Sequence, residues 1–327
     1  MADHDTYLAA AEAARAAFGI DDHELDLIVV GENVTYRAQR SDSAYVLRLH
    51  RPGYHTLAEL DSERVWLAAL ADAGVSVPEP VGAPDGRYFI PVEVAPGDER
   101  FAGLTRWRDG EVVADLQRST DVGSSMADQF AQLGTLMAQM HSQAVTWEPP
   151  SSFTRQRLDA DGLVGEAPFW GRFWEADELT PAQAGALGAA RMVALDRLHE
   201  YGEPADRFSV IHADLHLGNL LVDPTGTLSV IDFDDAGYGW HQYDMAVALL
   251  HIWDAPDTTE ARAAFFEAYR ASRAISDAEL AWVPFFEMVR LMALIGWKAQ
   301  RPEVSWPDGR FNELVEQALD RIGDLER

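Results

Sequence analysis

Four residues able to do chemistry, His212, Asp214, His216 and Asn219, share one short loop, and three carboxylates, Asp232, Asp234 and Asp235, follow closely behind it. An amide oxygen and a carboxylate are hard ligands. They suit Mg²⁺, which takes oxygen donors at about 2.0–2.1 Å and leaves its other positions to water and phosphate. A further carboxylate beside such a cation can accept the proton of an attacking hydroxyl. Asn219 and Asp232 fit the first role and Asp214 the second. The alternating His212-x-Asp214-x-His216 also leaves a zinc hydrolase open, although that chemistry needs more histidines at strand ends. His199 and His241 are present, but in helical contexts. The bland alternative is polar decoration of a hairpin.

The flanking sequence says how these residues are held. Phe208–Ile211 reads as a short strand, Leu220–Val222 as a second and Leu228–Ile231 as a third, with a strong turn signal at Asp223-Pro224-Thr225-Gly226. A hairpin whose partners sum to 451 sets Leu220 against Ile231 and Asn219 against Asp232, close enough for both side chains to reach one cation.

Upstream, residues 6–18 read as a helix with Leu8, Ala11, Arg15 and Phe18 at helical spacing. Strand patterns follow at 25–30, 34–38 and 45–49. A helix is expected at 57–72, and further strands at 87–94 and 101–107. In the third strand Tyr45, Leu47 and Leu49 share one face, and Val46 and Arg48 the other. From about residue 108 the pattern is helical. Met126, Phe130, Leu133, Met137 and Met140 draw one stripe, and Leu187, Ala190, Ala194 and Leu198 another between Thr180-Pro181 and Gly202. Helices are also expected near 240–253, 258–273, 277–298 and 310–325. Trp170 and Trp174 read as packing residues or as an aromatic wall for a sugar or cation.

The chain has 327 residues, enough for two modest cores. Its 54 acidic residues against 26 basic ones give a net charge of −28, which repels nucleic acid and anionic membrane surfaces and would attract a cationic substrate. Lys298 is the single lysine and there is no cysteine, so thiol nucleophiles and Cys-based zinc sites are excluded. No segment reads as a secretion signal or as about 20 apolar residues able to span a bilayer, so a cytoplasmic protein is expected.

His212, Asp214, Asn219 and Asp232 match the H-x-D-x(4)-N and D-F-G spacings of the protein-kinase fold. The wording His212-Ala213-Asp214-Leu215-His216 with Ile231-Asp232-Phe233-Asp234-Asp235 resembles the aminoglycoside phosphotransferase and homoserine kinase type II superfamily, which includes choline-kinase-like and stress-response kinases. The likeness extends to Gly31-Glu32-Asn33-Val34-Thr35-Tyr36-Arg37, to Tyr45–Arg48, to His50-Arg51-Pro52-Gly53-Tyr54-His55 and to Glu63. The resemblance implies an α+β, two-lobed protein-kinase-like fold, with residues 1–106 as a small β-rich nucleotide lobe and 107–327 as a helical lobe. ATP and Mg²⁺ would lie between them.

On that resemblance Asp214 is the catalytic base and His212 a brace of its loop. Asn219 and Asp232 hold Mg²⁺, with Asp234 as a further metal-facing carboxylate, and Asp244 holds the catalytic loop. Arg48 faces the phosphates with Glu63 as its ion-pair partner, Asn33 helps cradle them, and Thr105 to Trp107 form the adenine hinge. Arg48 stands where protein kinases have lysine, and only Gly31 remains of the glycine-rich loop. The implied reaction is γ-phosphoryl transfer to a hydroxyl of a small molecule, such as an amino alcohol, an amino sugar or an antibiotic. Helices from 122 to 202 could wall a pocket, and no long activation segment follows Asp232. A protein serine or threonine is the second choice of acceptor, and a nucleotide-binding pseudokinase or a metal-dependent hydrolase the alternative class.

Overall fold

A computed structural model of the chain describes residues 4–118, 125–250, 258–302 and 304–325. They divide into two compact units. One comprises residues up to Glu111 with Glu148–Arg155 and Leu221–Ile231, the other Val112–Trp147, Gln156–Leu220 and residues from Asp232 onward.

The first unit is built on a sheet. Helix α1 (His4–Ala17) precedes β1 (Glu24–Val30), β2 (Val34–Arg40) and β3 (Ser43–Leu49), and α2 (Leu57–Asp72) leads to β4 (Phe89–Ala95) and β5 (Asp98–Arg106). The five strands are antiparallel in the order β1-β2-β3-β5-β4. Alternation in β3 buries Leu47 and Leu49 completely and turns Arg48 to the other face. These leucines meet Tyr36 and Ala38 of β2, Ala102 and Leu104 of β5, and α1 in one core. The buried face of α1 is Tyr7, Ala11 and Ala14, continued by Phe18 just past its end, whereas Arg15, placed on the stripe by its spacing, instead donates from Nη1 to the His23 carbonyl at 2.8 Å. A capping box of Thr56 and Glu59 starts α2.

The second unit is mainly helical. After β6 (Glu111–Val112) and α3 (Val113–Arg118), α4 (Met126–Thr146) buries Phe130, Leu133, Met137 and Met140 as its stripe requires. Next come β7 (Arg157–Leu158), α5 (Ala160–Val164) and α6 (Pro181–Tyr201), the last opened by a Thr180 cap and closed by Gly202 with φ 68°. After strand β8 (Phe208–Ile211) the chain returns to the first unit for the hairpin of β9 (Leu220–Val222) and β10 (Leu228–Val230), and then β11 (Gly237–Trp240) precedes α7 (His241–Leu250). The chain ends with α8 (Thr258–Ser272), α9 (Asp277–Leu280), α10 (Val283–Ala299) and α11 (Arg310–Leu325).

Residues 251–253, expected in a helix, lie outside the described residues. The helix expected at 277–298 is two helices, because Pro284 in the first turn of α10 has no N–H with which to continue the ladder from α9. The segment Asp277–Ala299 is also long and apolar enough to cross a membrane, although no such segment was expected; 67% of its most apolar stretch is buried inside the protein, where it packs as core. Strand β11 has no counterpart in the sequence reading, since Gly237-Tyr-Gly-Trp lacks a strand-like composition. It pairs antiparallel with β8 and parallel with β7, and a Cβ at Gly239 would lie 2.6 Å from Ile211 Cδ1.

Candidate active site

Strand β8 delivers the chain into the polar loop. Ala213, the residue before Asp214, has φ 65°, and Asp232 has φ 64°; among the described residues they are the only non-glycine positions in the left-handed region. Such a conformation costs about 1–3 kcal/mol and persists only where its surroundings over-determine it. For Ala213 the surroundings are Asp244, on the first turn of α7. Its Oδ1 accepts the Ala213 N–H at 2.8 Å, and its Oδ2 accepts the His212 N–H at 3.2 Å. His141 of α4 lies 3.2 Å from the same Oδ2 through Nε2, and its Nδ1 meets the Tyr269 hydroxyl at 2.9 Å. Burial pushes the Asp244 carboxyl up, opposed by His212 and the two N–H donors, and pushes His141 and its stacked neighbour His241 well down.

His212 is completely buried. Its Nδ1 accepts the Asp214 N–H at 3.3 Å, and its ring packs 4.6 Å from that of Phe233, so it braces the loop and joins it to the Asp232–Asp235 segment. Asp214 is the accessible member, with a side chain 26% exposed. The Asn219 amide nitrogen donates to the Asp214 carbonyl at 2.9 Å and to Asp214 Oδ2 at 3.1 Å. His216 Nδ1 accepts the Gly218 N–H at 2.9 Å, so the ring caps the loop, and its Nε2 lies 3.5 Å from both Asp214 Oδ2 and the Asn219 amide nitrogen.

Asn219 lies in a 3₁₀ turn, Leu217–Asn219, just before β9. The hairpin register differs from the expected sum of 451. The Asp223 N–H donates to the Thr227 carbonyl at 3.1 Å and the Gly226 N–H to the Asp223 carbonyl at 2.9 Å, so the partners at the turn sum to 450. Gly226, at φ 87°, absorbs the extra residue as a bulge. Asn219 and Asp232 therefore stand at the two ends of the hairpin excursion without facing each other as strand partners. Asp234 is 8% exposed, which rules out a solvated surface carboxylate, and the Asp235 carbonyl accepts Gln156 Nε2 at 2.8 Å.

Sequence spacing gave no sign of Arg290 on α10. This arginine is 4% exposed, and its Nη2 donates to Asp214 Oδ1 at 2.5 Å. A buried arginine must be paired, so a charge inside an apolar helix was the available signal. Glu287, its neighbour on the same helix, is fully buried between Arg262 and Arg321 at 2.5 and 2.7 Å and is structural.

The other predicted residues belong to the sheet unit. Arg48 sits mid-strand in β3, opposite Thr35 and Gly103. Glu63 of α2 is paired with Arg155 at 3.6 Å, a partner with no sequence signal. Asn33, in the turn joining β1 to β2, accepts the Arg51 N–H at 3.0 Å through Oδ1. At the expected hinge, Thr105 pairs with Val46, while the Arg106 and Trp107 N–H groups already donate to the Glu79 and Ala44 carbonyls at 2.9 and 3.0 Å.

Comparison with known proteins gives the fold and the family. The aminopropanol kinase associated with a microcompartment superposes with a TM-score of 0.83 at 32% identity, covering 98% of this chain and 97% of its own. Amicoumacin kinase of Bacillus subtilis (strain 168) is 25% identical over 304 residues, 90% of this chain and 84% of the relative. The amicoumacin kinase hAmiN in complex with AMP-PNP, Ca2+ and Ami matches in fold, with a TM-score of 0.78 at 21% identity over 99% of this chain and 94% of that one. The α+β fold is thus kinase-like, as expected. A model of the phosphotransferase enzyme family matches residues 30–283, and the chain belongs to that family.

Proposed function

We propose that the protein is an ATP- and Mg²⁺-dependent kinase that phosphorylates a hydroxyl of a small, amine-bearing molecule such as an amino alcohol, an amino sugar or an antibiotic. The observation that carries this reading is the two-ended use of Asn219. Its amide nitrogen is engaged by Asp214, which turns the amide oxygen away as a hard donor. With Asp232, and Asp234 beside it, the donor set is all oxygen and fits Mg²⁺. When bound, the cation supplies charge neutralisation of the phosphates.

Asp214 then orients the acceptor hydroxyl and takes its proton as the new O–P bond forms and the bond from the γ-phosphorus to ADP breaks. Asp244 and His212 keep Asp214 in place through the backbone. In the sheet unit we assign Arg48 and Asn33 to the nucleotide phosphates, Glu63 to orienting that region, and the Thr105 and Trp107 segment to the base. An amine-bearing acceptor is favoured because the chain carries a net charge of −28, which attracts cations. The aminopropanol and amicoumacin kinases support a small acceptor.

The test is ADP release from Mg·ATP with 1-amino-2-propanol, choline, homoserine and an aminoglycoside in turn, for wild type, Asp214→Asn and Asp232→Asn. One acceptor should raise ADP release for wild type alone. A wild-type protein with neither Mg²⁺-dependent nucleotide affinity nor turnover sinks the proposal.

A further inference from the structure

We propose that Arg290 is a positioning residue of the phosphoryl-transfer site, fixing the plane of the Asp214 carboxylate from the opposite side to Asn219; this rests on the function proposed above. The two oxygens of Asp214 are held from different elements. Oδ1 takes Arg290 Nη2 of α10 at 2.5 Å, and Oδ2 takes the Asn219 amide of the loop at 3.1 Å with His216 Nε2 at 3.5 Å. One donor alone would let the carboxylate rotate about its Cβ–Cγ bond, whereas donors on both oxygens define the plane in which an incoming hydroxyl must approach.

Arg290 is itself held. Its Nη1 lies 3.5 Å from the Tyr243 hydroxyl, and its guanidinium carbon lies 5.4 Å from the Trp170 ring centroid. Trp170 and Tyr243 stack at 6.2 Å with 16° between their planes. The helix is seated on the same wall, since a Cβ at Gly296 would come within 2.6 Å of the Gly171 carbonyl and 2.7 Å of the Trp170 carbonyl. Burial opposes the charge of Arg290, yet Tyr243, Asp214 and Asp235 hold its guanidinium above its ordinary proton affinity. It is therefore a fixed cation. Its planar fork sets direction as well as charge, which an ammonium cannot reproduce.

The experiment compares wild type, Arg290→Lys, Arg290→Met, Asp214→Asn and the Arg290→Met/Asp214→Asn double variant, using 1-amino-2-propanol or whichever acceptor in the panel supports turnover. Arg290→Met should lower kcat by about 10- to 100-fold with the KM for ATP unchanged, since a misplaced reacting group costs rate rather than nucleotide binding. Arg290→Lys, the more conservative change, should lose roughly fivefold or more. In the Asp214→Asn background the Arg290→Met change should cost no further kcat, because it acts through that carboxylate. Wild-type kcat in Arg290→Lys overturns the proposal, as does an equal loss in both backgrounds. If wild type turns over no acceptor in the panel and shows no Mg²⁺-dependent nucleotide affinity, the kinase reading has failed. Urea unfolding of wild type, the two single variants and the double variant then decides the pairing, and an Arg290→Met effect on the unfolding constant that is the same with and without the Asp214→Asn change overturns it.

Discussion

Ala213 and Asp232 carry the left-handed backbone that the site depends on, and neither is glycine. A side chain branched at Cβ tolerates that region worse than alanine does. Ala213→Val should therefore lower stability by about 1–3 kcal/mol in urea unfolding and lower kcat with it, whereas Ala213→Gly should leave the fold intact. Asp214→Asn keeps shape and removes proton acceptance, so kcat should fall by about 10²–10⁴ with little change in nucleotide affinity by calorimetric titration. At this scale the gathering of His212, Asp214 and Asn219 in one loop was legible, because their spacing is local to that loop. Arg290 and Arg155 were not, because each reaches its carboxylate partner from a distant part of the chain, and no spacing records that.

Between elements, α4 and α8 touch through backbone. A Cβ at Gly134 would overlap the Phe265 carbonyl, so the helices meet where no side chain stands between them. Gly134→Ala should force them apart and cost about 1–3 kcal/mol, read as a lower Tm despite alanine's better helix propensity. The same pair presents His141, itself held by the Tyr269 hydroxyl, to Asp244, so the substitution should also lower kcat. Helix stripes on α4 and α6 were legible because burial imposes a 3.6-residue period. The hairpin was read one residue out of register because the bulge at Gly226 is a property of the turn and leaves no trace in the alternation of the strands. Strand β11 escaped because its glycines are demanded by close neighbours that only the assembled sheet supplies.

For the whole molecule, pH acts through buried groups. His141 and His241 are held below their usual value of 6.5, so the folded state binds fewer protons than the unfolded chain just below that pH. Their contribution is present above pH 6.5 and is lost as pH falls, on the order of 1.4 kcal/mol per histidine per pH unit. Urea midpoints should accordingly drop between pH 7 and 5.5. At the alkaline end burial raises Tyr243 and Tyr201 to about 12, so stability should begin to fall above pH 10, where the unfolded phenols ionise. The chain also visits its units in turn, since Glu148–Arg155 and Leu221–Ile231 return to the sheet unit from within the helical one. Order of synthesis follows from that path. As the chain leaves the ribosome the sheet unit lacks its last piece until Ile231 has emerged, and Asp232, proposed with Asn219 as a cation ligand, is the next residue made. Completion of one unit and arrival of the second metal-ligand candidate are therefore consecutive events, and no single cut in the chain yields either unit whole.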